Sequence, residues 1–482
     1  LVLSHVPGLQ IQTHEEDLVY EVALGVAEEL RIPLYVWSIT EGLSQDKGKK
    51  SWPQSQEALK LLKAIEGMSS EGIFILKDFH RELEDRSILR FLKDLLIRFS
   101  KSRSIIILTG SEFQLPPDFE HLVLPFELRF PTEAEVGQIL KSVIASLKRQ
   151  FPLKVDLDQK ALNHLLASLK GLSRNQVRQL VTQSLISEKA LNQKVLQKVI
   201  ENKIRLIRDG GLLEFFPVGE DEYQLGGFRE LKLWLERSKM GFTEQAKALN
   251  LSPPKGMLLV GVPGCGKSLS ARVVSQLWNL PLLKLDAGSL YNKYMGETEK
   301  NFREATKTAE AMSPCILWID EIEKAFGSSD SGDGGVSQRL LGSFLSWMQE
   351  KKDSVFLLAT ANQIDKLPPE LMRKGRFDEI FYVDLPTEEE RQEIFQIHLQ
   401  RRKQDLPSLN LKALATEAAG FSGAEIEQAV VAALYESLHS GSPLTMELLR
   451  REMQRTQPLS VSRAEEIGRL RSYIQGRFRP VQ

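Results

Sequence analysis

Eight consecutive residues, Gly261-Val262-Pro263-Gly264-Cys265-Gly266-Lys267-Ser268, carry the spacing G-x-x-x-x-G-K-[ST], that of a loop built to hold phosphate. Its glycines let the backbone fold so that several N–H groups converge on one anion. Lys267 is placed to reach the β- and γ-phosphates of ATP, and Ser268 to ligate Mg²⁺. Leu269 follows in a helix whose positive end faces the same anion. Farther on, the apolar run Pro314-Cys315-Ile316-Leu317-Trp318-Ile319 ends in Asp320-Glu321. Hydrolysis of a terminal phosphate needs a carboxylate beside the metal and a base or orienting group for water. Asp320 suits the first role and Glu321 the second. Asn362, just past the run Val355-Phe356-Leu357-Leu358-Ala359, is placed to bond the water or the γ-phosphate and so report which nucleotide is present. Arg373 and Arg376 lie beyond that strand end, where a neighbouring subunit's nucleotide is within reach. The alternative for them is ion pairing within the chain, with Asp378 and Glu379.

These residues require elements to hold them. Met257-Leu258-Leu259-Val260 reads as a buried strand before the loop, and 269–274 as the start of a helix. The chain divides into an α/β domain at 1–131, a helical domain at 132–210, a linker at 211–224, a second α/β domain at 225–386, a helical block at 387–460 and an Arg-bearing tail at 461–482. The linker is assigned on acidity and on Pro217 and Gly219. In the first domain Leu9-Gln10-Ile11-Gln12-Thr13, Pro33-Leu34-Tyr35-Val36-Trp37, Gly72-Ile73-Phe74-Ile75-Leu76 and Ser104-Ile105-Ile106-Ile107-Leu108 are predicted strands, and the polar stretch 45–56 a loop. The tail is expected to be a solvated helix followed by frayed chain; contact with a phosphate polymer or a partner is the alternative.

Composition narrows the classes. In 482 residues, 42% hydrophobic and 26% charged content is that of a globular protein, and a net charge of -1 gives no global field toward nucleic acid or membrane. No apolar run approaches the roughly 18 residues of a membrane span. Two cysteines, Cys265 and Cys315, make no disulfide framework and suggest a reducing compartment. The first residue is Leu1 and not Met, so a preceding piece, with any targeting signal, is expected to lie outside this sequence.

Four short matches recur in order in the two halves. Leu115-Pro116-Pro117 returns as Leu367-Pro368-Pro369, Pro131-Thr132-Glu133 as Pro386-Thr387-Glu388, Lys160-Ala161-Leu162 as Lys412-Ala413-Leu414, and Gly171-Leu172-Ser173 as Gly420-Phe421-Ser422. The halves differ where chemistry would sit. After its first strand the first half has Thr13-His14-Glu15-Glu16-Asp17, and three carboxylates there would repel a phosphate. The expectation is a first half with the fold but without the nucleotide.

The ordered set of phosphate loop, Asp-Glu strand, Asn and paired arginines resembles the AAA family of ATPases over about 225–456. The resemblance implies a five-stranded parallel sheet with a helical lid, that is, a P-loop AAA+ module, preceded here by a degenerate AAA-like half. It implies a homo-oligomeric ring, usually a hexamer. It implies an adenine pocket in which Leu225-Gly226-Gly227 is similar to the family's segment before the loop, with Gly227 as the contact; His398 lies near base or ribose, and Gly423 and Ala424 touch the nucleotide from the lid. Tyr294-Met295-Gly296-Glu297 resembles the pore loop with which a ring grips an unfolded chain, so Tyr294 and Met295 are the expected substrate-gripping residues; the alternative is a core aromatic opening the following helix. Residues 327–335 read as a mobile second pore loop. One departure stands out: after Phe344-Leu345-Ser346-Trp347-Met348 the family usually has Asp-Gly and an apolar residue that couple neighbours, and here Gln349-Glu350-Lys351-Lys352-Asp353 follows.

The whole architecture, with Pro458-Leu459-Ser460 before the Arg-rich end, also resembles the AAA-domain proteins of the hypothetical-chloroplast-reading-frame type, encoded in algal plastid genomes and in cyanobacteria. That implies a plastid stroma or a cyanobacterial cytoplasm, and a link to photosynthetic metabolism. The functional expectation is Mg-dependent ATP hydrolysis driving remodelling of a protein client, with the first half docking client or adaptor. Two alternatives stay open: an ATP-dependent assembly switch with slow turnover, and a nucleic-acid-stimulated motor using the tail.

Overall fold

Runs such as Ile73-Phe74-Ile75-Leu76 and Met257-Leu258-Leu259-Val260 are apolar at every position, and they become strands buried on both faces of parallel sheets. The structure is a computed structural model and describes residues 1–482 except 46–49, 112, 210, 219–222, 289, 291–296, 327–335, 352, 353, 374, 406, 408 and 475. It separates into two units, 1–131 with 173–176, and 132–172 with 177–482.

In the first unit the order is β1 (Gly8–Gln12), α1 (Glu16–Leu30), β2 (Leu34–Ser38), β3 (Gly42–Gln45), β4 (Lys50–Ser51), α2 (Ala58–Glu66), β5 (Ile73–Lys77), α3 (Arg86–Phe99), β6 (Ile105–Gly110) and β7 (Val123–Pro125). The sheet runs β4-β3-β2-β5-β6-β1-β7, with β2, β5, β6, β1 and β7 parallel. Residues of α1 join the core on one face, and those of α2 and α3 the larger core on the other. The stretch 45–56 is not wholly loop: Lys50–Ser51 pairs antiparallel with β3. Ladder bonds need no apolar side chains. The turn is instead pinned by Ser55, whose hydroxyl accepts from the Leu43 amide (2.7 Å) and whose carbonyl accepts from the Trp37 indole (2.6 Å).

The second unit opens with α4 (Glu133–Lys148), β8 (Lys154–Val155), α5 (Gln159–Ser168), α6 (Arg174–Glu188, mostly in this unit), β9 (Ala190–Leu191) and α7 (Gln193–Asp209) around a core of their own. The expected helical domain is found, with β8 and β9 as a two-residue parallel pair. The linker expectation is corrected: β10 (Leu213–Phe216) is an antiparallel edge strand of the next sheet. Leu213 and Phe215 point into the core while Glu214 does not, so four alternating residues suffice despite the acidic surroundings. The fully buried Lys203 of α7 secures this edge. Its ammonium donates to the carbonyls of Ser168 (2.8 Å) and Lys170 (2.7 Å) and lies 4.7 Å over the Phe215 ring. Burial pulls its pKa down to about 7.

Then follow α8 (Arg229–Lys239), α9 (Glu244–Ala248), β11 (Gly256–Gly261), α10 (Lys267–Trp278), β12 (Leu282–Leu285), α11 (Glu297–Ala311), β13 (Cys315–Ile319), α12 (Glu323–Phe326), α13 (Val336–Glu350), β14 (Val355–Ala361) and β15 (Glu379–Val383). The helical block is α14 (Glu388–Arg401), α15 (Leu411–Glu417), α16 (Gly423–Ser440) and α17 (Met446–Arg455), with a core of its own. The chain ends in α18 (Leu459–Ser462), α19 (Ala464–Ile474) and β16 (Arg479–Pro480). The sheet order is β10-β12-β13-β14-β11-β15-β16. The expected five-stranded parallel sheet is therefore present and is widened by one strand at each edge. The tail does not fray: β16 pairs with β15, and Ile467, Ile474 and Val481 are buried. Among the described residues no helix is long and apolar enough to cross a membrane.

Without their added edges, the two large sheets have one order, β2-β5-β6-β1-β7 and β12-β13-β14-β11-β15. The repeated sequence fragments are helix starts and stops within it. Thr132/Glu135 and Thr387/Glu390 are capping boxes, as is Ser422/Glu425, and Gly171 and Gly420 follow helix ends at φ 78° and 83°. The likeness reaches one detail of backbone. Asp78 after β5 and Glu321 after β13 both sit in the left-handed region, at φ 52° and 51°. In the first unit, however, no phosphate loop follows β1. Glu16 there pairs with Lys77 (2.8 Å). This is a degenerate AAA-like α/β domain.

Candidate nucleotide-hydrolysing site

Parallel strands deliver their carboxyl ends to one edge, where ligands bind in open α/β sheets. Here β11 ends in the phosphate loop, and β14 lies between it and β13, so Asn362 and Asp320-Glu321 arrive side by side. The edge and the lid enclose a cavity of about 710 Å³.

The loop's shape depends on glycine at Gly261, where a Cβ would lie 1.9 Å from the Val383 carbonyl oxygen, and at Gly264 and Gly266, at φ 76° and 91°. Pro263, Gly264, Cys265, Gly266, Lys267, Ser268 and Leu269 line the cavity. The Lys267 ammonium is folded back onto the carbonyls of Gly261 (2.8 Å) and Val262 (2.7 Å). From the lid, the Ala424 amide donates to the Gly264 carbonyl (2.9 Å), and Gly423 lies beside it. Burial pushes the Cys265 thiol up to about 12, so it is a packing group here and not a nucleophile.

Asp320 Oδ1 accepts from the hydroxyls of Ser268 (2.9 Å) and Thr360 (2.6 Å). Ser268 and Asp320 thus hold two oxygens together, as a hard divalent cation prefers. The Thr360 hydroxyl also accepts from the Glu321 amide (3.0 Å), which fixes Glu321 in a left-handed conformation of a kind that clusters at working sites. Glu321 Oε1 accepts from the Asn362 amide (2.8 Å), and its other oxygen is paired with Lys324. Asn362 is held in turn by Glu323, whose Oε1 accepts from the Asn362 (2.9 Å) and Gln363 (3.3 Å) backbone amides. Burial raises the Glu323 carboxyl above its usual range.

Sequence reasoning missed Thr360, Glu323 and Lys324. Thr360 and Glu323 are each two residues from a predicted site residue on the same strand end, and that proximity is the signal that was there to use. The other predicted residues are placed as follows. His398 lines the cavity, its pKa lowered by burial, with its ring against Arg402 (3.2 Å) and Glu427 (3.5 Å). Gly227 is turned away, its amide donating to Glu393 (2.7 Å), while its neighbours Gly226 and Phe228 line the cavity. Arg373 is exposed and Arg376 donates to the Leu345 carbonyl (2.7 Å); neither lines the cavity, and neither pairs with Asp378 or Glu379. In place of the family's coupling residues, Lys351 donates to the carbonyls of Lys255 (2.6 Å) and Val355 (2.5 Å). Tyr294, Met295 and residues 327–335 lie outside the described residues.

Burial lowers the Lys267 pKa from 10.5 to about 8. A triphosphate would favour the ammonium form, so the pKa in the complex lies above that in the free protein. Near pH 8.5 roughly three-quarters of the free Lys267 is neutral, and nucleotide binding is expected to take up a comparable fraction of a proton. Affinity falls as pH rises above about 8. Calorimetry in buffers of differing ionisation enthalpy reads the uptake; zero uptake would remove this account of the ammonium.

Comparison with known proteins agrees with the geometry. Residues 257–385 match the family described as ATPase family associated with various cellular activities (AAA). Residues 1–128 match the SpoVK-like AAA ATPase N-terminal domain, and 134–210 its second domain. The chain is 36% identical over 485 residues to the "Uncharacterized AAA domain-containing protein ycf46" of Trieres chinensis, covering 99% of this chain and 96% of that protein. It is 30% identical over 328 residues to the cell division cycle protein 48 homolog of Archaeoglobus fulgidus, covering 62% of this chain and 44% of that protein. It is 38% identical over 204 residues to the proteasome-activating nucleotidase of Sulfurisphaera tokodaii, covering 41% and 52%. The match of residues 257–385 to the AAA model and the whole-length match to the ycf46 proteins, on a sheet whose carboxyl edge brings together the phosphate-loop sequence, Asp320-Glu321 and Asn362, place the chain in the AAA family of ATPases.

Proposed function

We propose that this ATPase works as a homo-oligomeric ring, with hexamer the expected size, that remodels a protein client in a plastid stroma or a cyanobacterial cytoplasm. The observation that carries the reading is the arrangement around Glu321: a base, its asparagine and the phosphate loop share one cavity, while Arg373 stands exposed outside it. The relatives named for cell division cycle protein 48 and for a proteasome-activating nucleotidase support it.

In the mechanism Lys267 leaves the loop carbonyls for the β- and γ-phosphates. Ser268 and Asp320 would hold Mg²⁺, which neutralises charge on those phosphates. Glu321, released from Lys324, takes a proton from the attacking water, and Asn362 keeps the carboxylate aimed. Arg373 of a neighbouring copy offsets charge at the γ-phosphate. Tyr294 and Met295 grip the client, and the first half of the chain docks client or adaptor.

The test is turnover in the presence of a permanently unfolded polypeptide, of duplex DNA and of RNA. Stimulation several-fold by the polypeptide alone is expected. Stimulation by nucleic acid that collapses with added salt would transfer the protein to the motor reading. Slow turnover indifferent to all three, with ATP-dependent association, would make it a switch.

A further inference from the structure

The cavity has two chemically different regions. One is polar, with Lys267, Ser268, Asp320, Glu321 and Asn362. The other is apolar, and its walls come from three separate stretches of chain: Leu225 and Phe228 before the phosphate loop, Ile394 and Ile397 on lid helix α14, and Val481 near the end of the tail. A triphosphate chain belongs in the first region. The flat, largely apolar ring of a purine belongs in the second.

Val481 is held there by more than packing. Its amide donates to the Tyr382 carbonyl (3.1 Å), and its carbonyl accepts from the Glu230 amide at the start of α8 (3.0 Å). Both its backbone groups are therefore committed to the two elements beside the base region, β15 and α8. Arg479 adds an ion pair to Glu230 (2.6 Å) and stacks over Phe381 (5.7 Å). Arg471 grips Asp384, another cavity residue, through two nitrogens (2.8 and 2.9 Å). Val481 is 2% exposed and shares a core with Leu225, Phe228 and Val383. The next residue, Gln482, donates to Glu390 in the first turn of α14 (2.9 Å) and to the Leu385 carbonyl (3.3 Å). The same Glu390 lies against Gly227.

We infer that the tail is a working part of the nucleotide site: Val481 is a wall of the purine subsite, and Gln482 ties that wall to the lid through Glu390. The ligand class is the purine ring of the nucleotide, and the inference rests on the ATP-site reading above. A strand so short would serve little as fold reinforcement at an already complete sheet edge. Its two following residues, by contrast, both line the cavity, Val481 in its apolar region.

The experiment is equilibrium calorimetry on the full chain carrying Glu321→Gln, so that nucleotide survives the titration. ATP and inorganic tripolyphosphate are the two probes, the second having phosphates and no base. Val481→Ala is expected to weaken ATP roughly tenfold and Gln482→Ala about threefold, with tripolyphosphate unchanged within about twofold. Gln482 is exposed, so its variant tests the inference even where Val481→Ala loosens the fold. ATP affinity unchanged in both variants overturns the inference. So does a loss for tripolyphosphate equal to that for ATP, because that marks a general loosening of the site. A parent protein that binds neither probe removes the ATP-site reading and this inference with it, and is distinguishable from both.

Discussion

Glu321→Gln is expected to lower the turnover number by roughly 10²–10⁴ while the ATP dissociation constant stays within a few-fold of its original value. The substitution is nearly isosteric. The carboxamide oxygen can still accept from Asn362, so the hydrogen bond that aims the side chain survives. What is lost is the ability to take a proton from water. A loss confined to turnover is the signature of a group acting in the transition state and not in binding. Asp320→Asn provides the contrast. Asp320 Oδ1 receives both the Ser268 and Thr360 hydroxyls, so changing it disturbs the metal position and the Thr360 bridge to the Glu321 amide. That variant is expected to lose affinity as well as rate. Steady-state phosphate release and equilibrium ATP binding on the two variants separate the roles. Turnover within about threefold of the parent in Glu321→Gln would falsify the assignment of the base. Lys324 refines the picture. It occupies the second Glu321 oxygen, so in the proposed mechanism that ion pair would open before Glu321 activates water.

How much of this was legible beforehand follows from the range of each interaction. The phosphate loop is eight contiguous residues, and Asp320-Glu321 ends a run with no polar interruption, so local pattern located both. The five parallel strands of the sheet were legible through the family resemblance, though not their order, and the repeat of short fragments foreshadowed two similar halves. The misses are long-range or short in length. Leu213–Phe216 has only four residues in which to show alternation, and its partner β12 lies some seventy residues downstream, so its acidic surroundings outweigh that signal and suggest a linker. Arg479–Pro480 has two residues, too few for any period, and is fixed by pairing with Phe381 and Tyr382. Gly226 and Gly227 are identical in type and adjacent, so no sequence argument could say which faces the cavity; the Glu393 carboxylate, which accepts the Gly227 amide, decides it. The pore-loop residues Tyr294 and Met295 lie outside the described residues and stay a proposal on the resemblance alone.

Arg373→Ala is expected to cost about 10³–10⁵ in turnover of the assembled protein, with ATP binding retained. The two arginines, equivalent in the sequence, are separated by the structure. Arg376 is half-buried and donates to the Leu345 carbonyl on α13, so it shapes its own subunit. Arg373 is exposed and makes no ion pair or side-chain hydrogen bond among the described residues, so it can reach outward without breaking one. In the proposed ring, an exposed guanidinium outside the cavity of its own chain would aid hydrolysis in a neighbour's cavity, so the interface would be heterologous and the site incomplete in a lone subunit. Mixing tests this directly. Lys267→Ala destroys a subunit's own pocket but leaves its Arg373 intact; Arg373→Ala does the reverse. Each variant alone is inactive. In rings formed from equal amounts, an intact pocket meets an intact arginine at about one interface in four, so about a quarter of the parent rate should return. No recovery on mixing, in rings shown by co-purification through a tag carried by only one variant to contain both, removes the trans role of Arg373. An Arg373→Ala protein that turns over at the parent rate does the same, and leaves the exposed arginine as a surface charge with no part in hydrolysis.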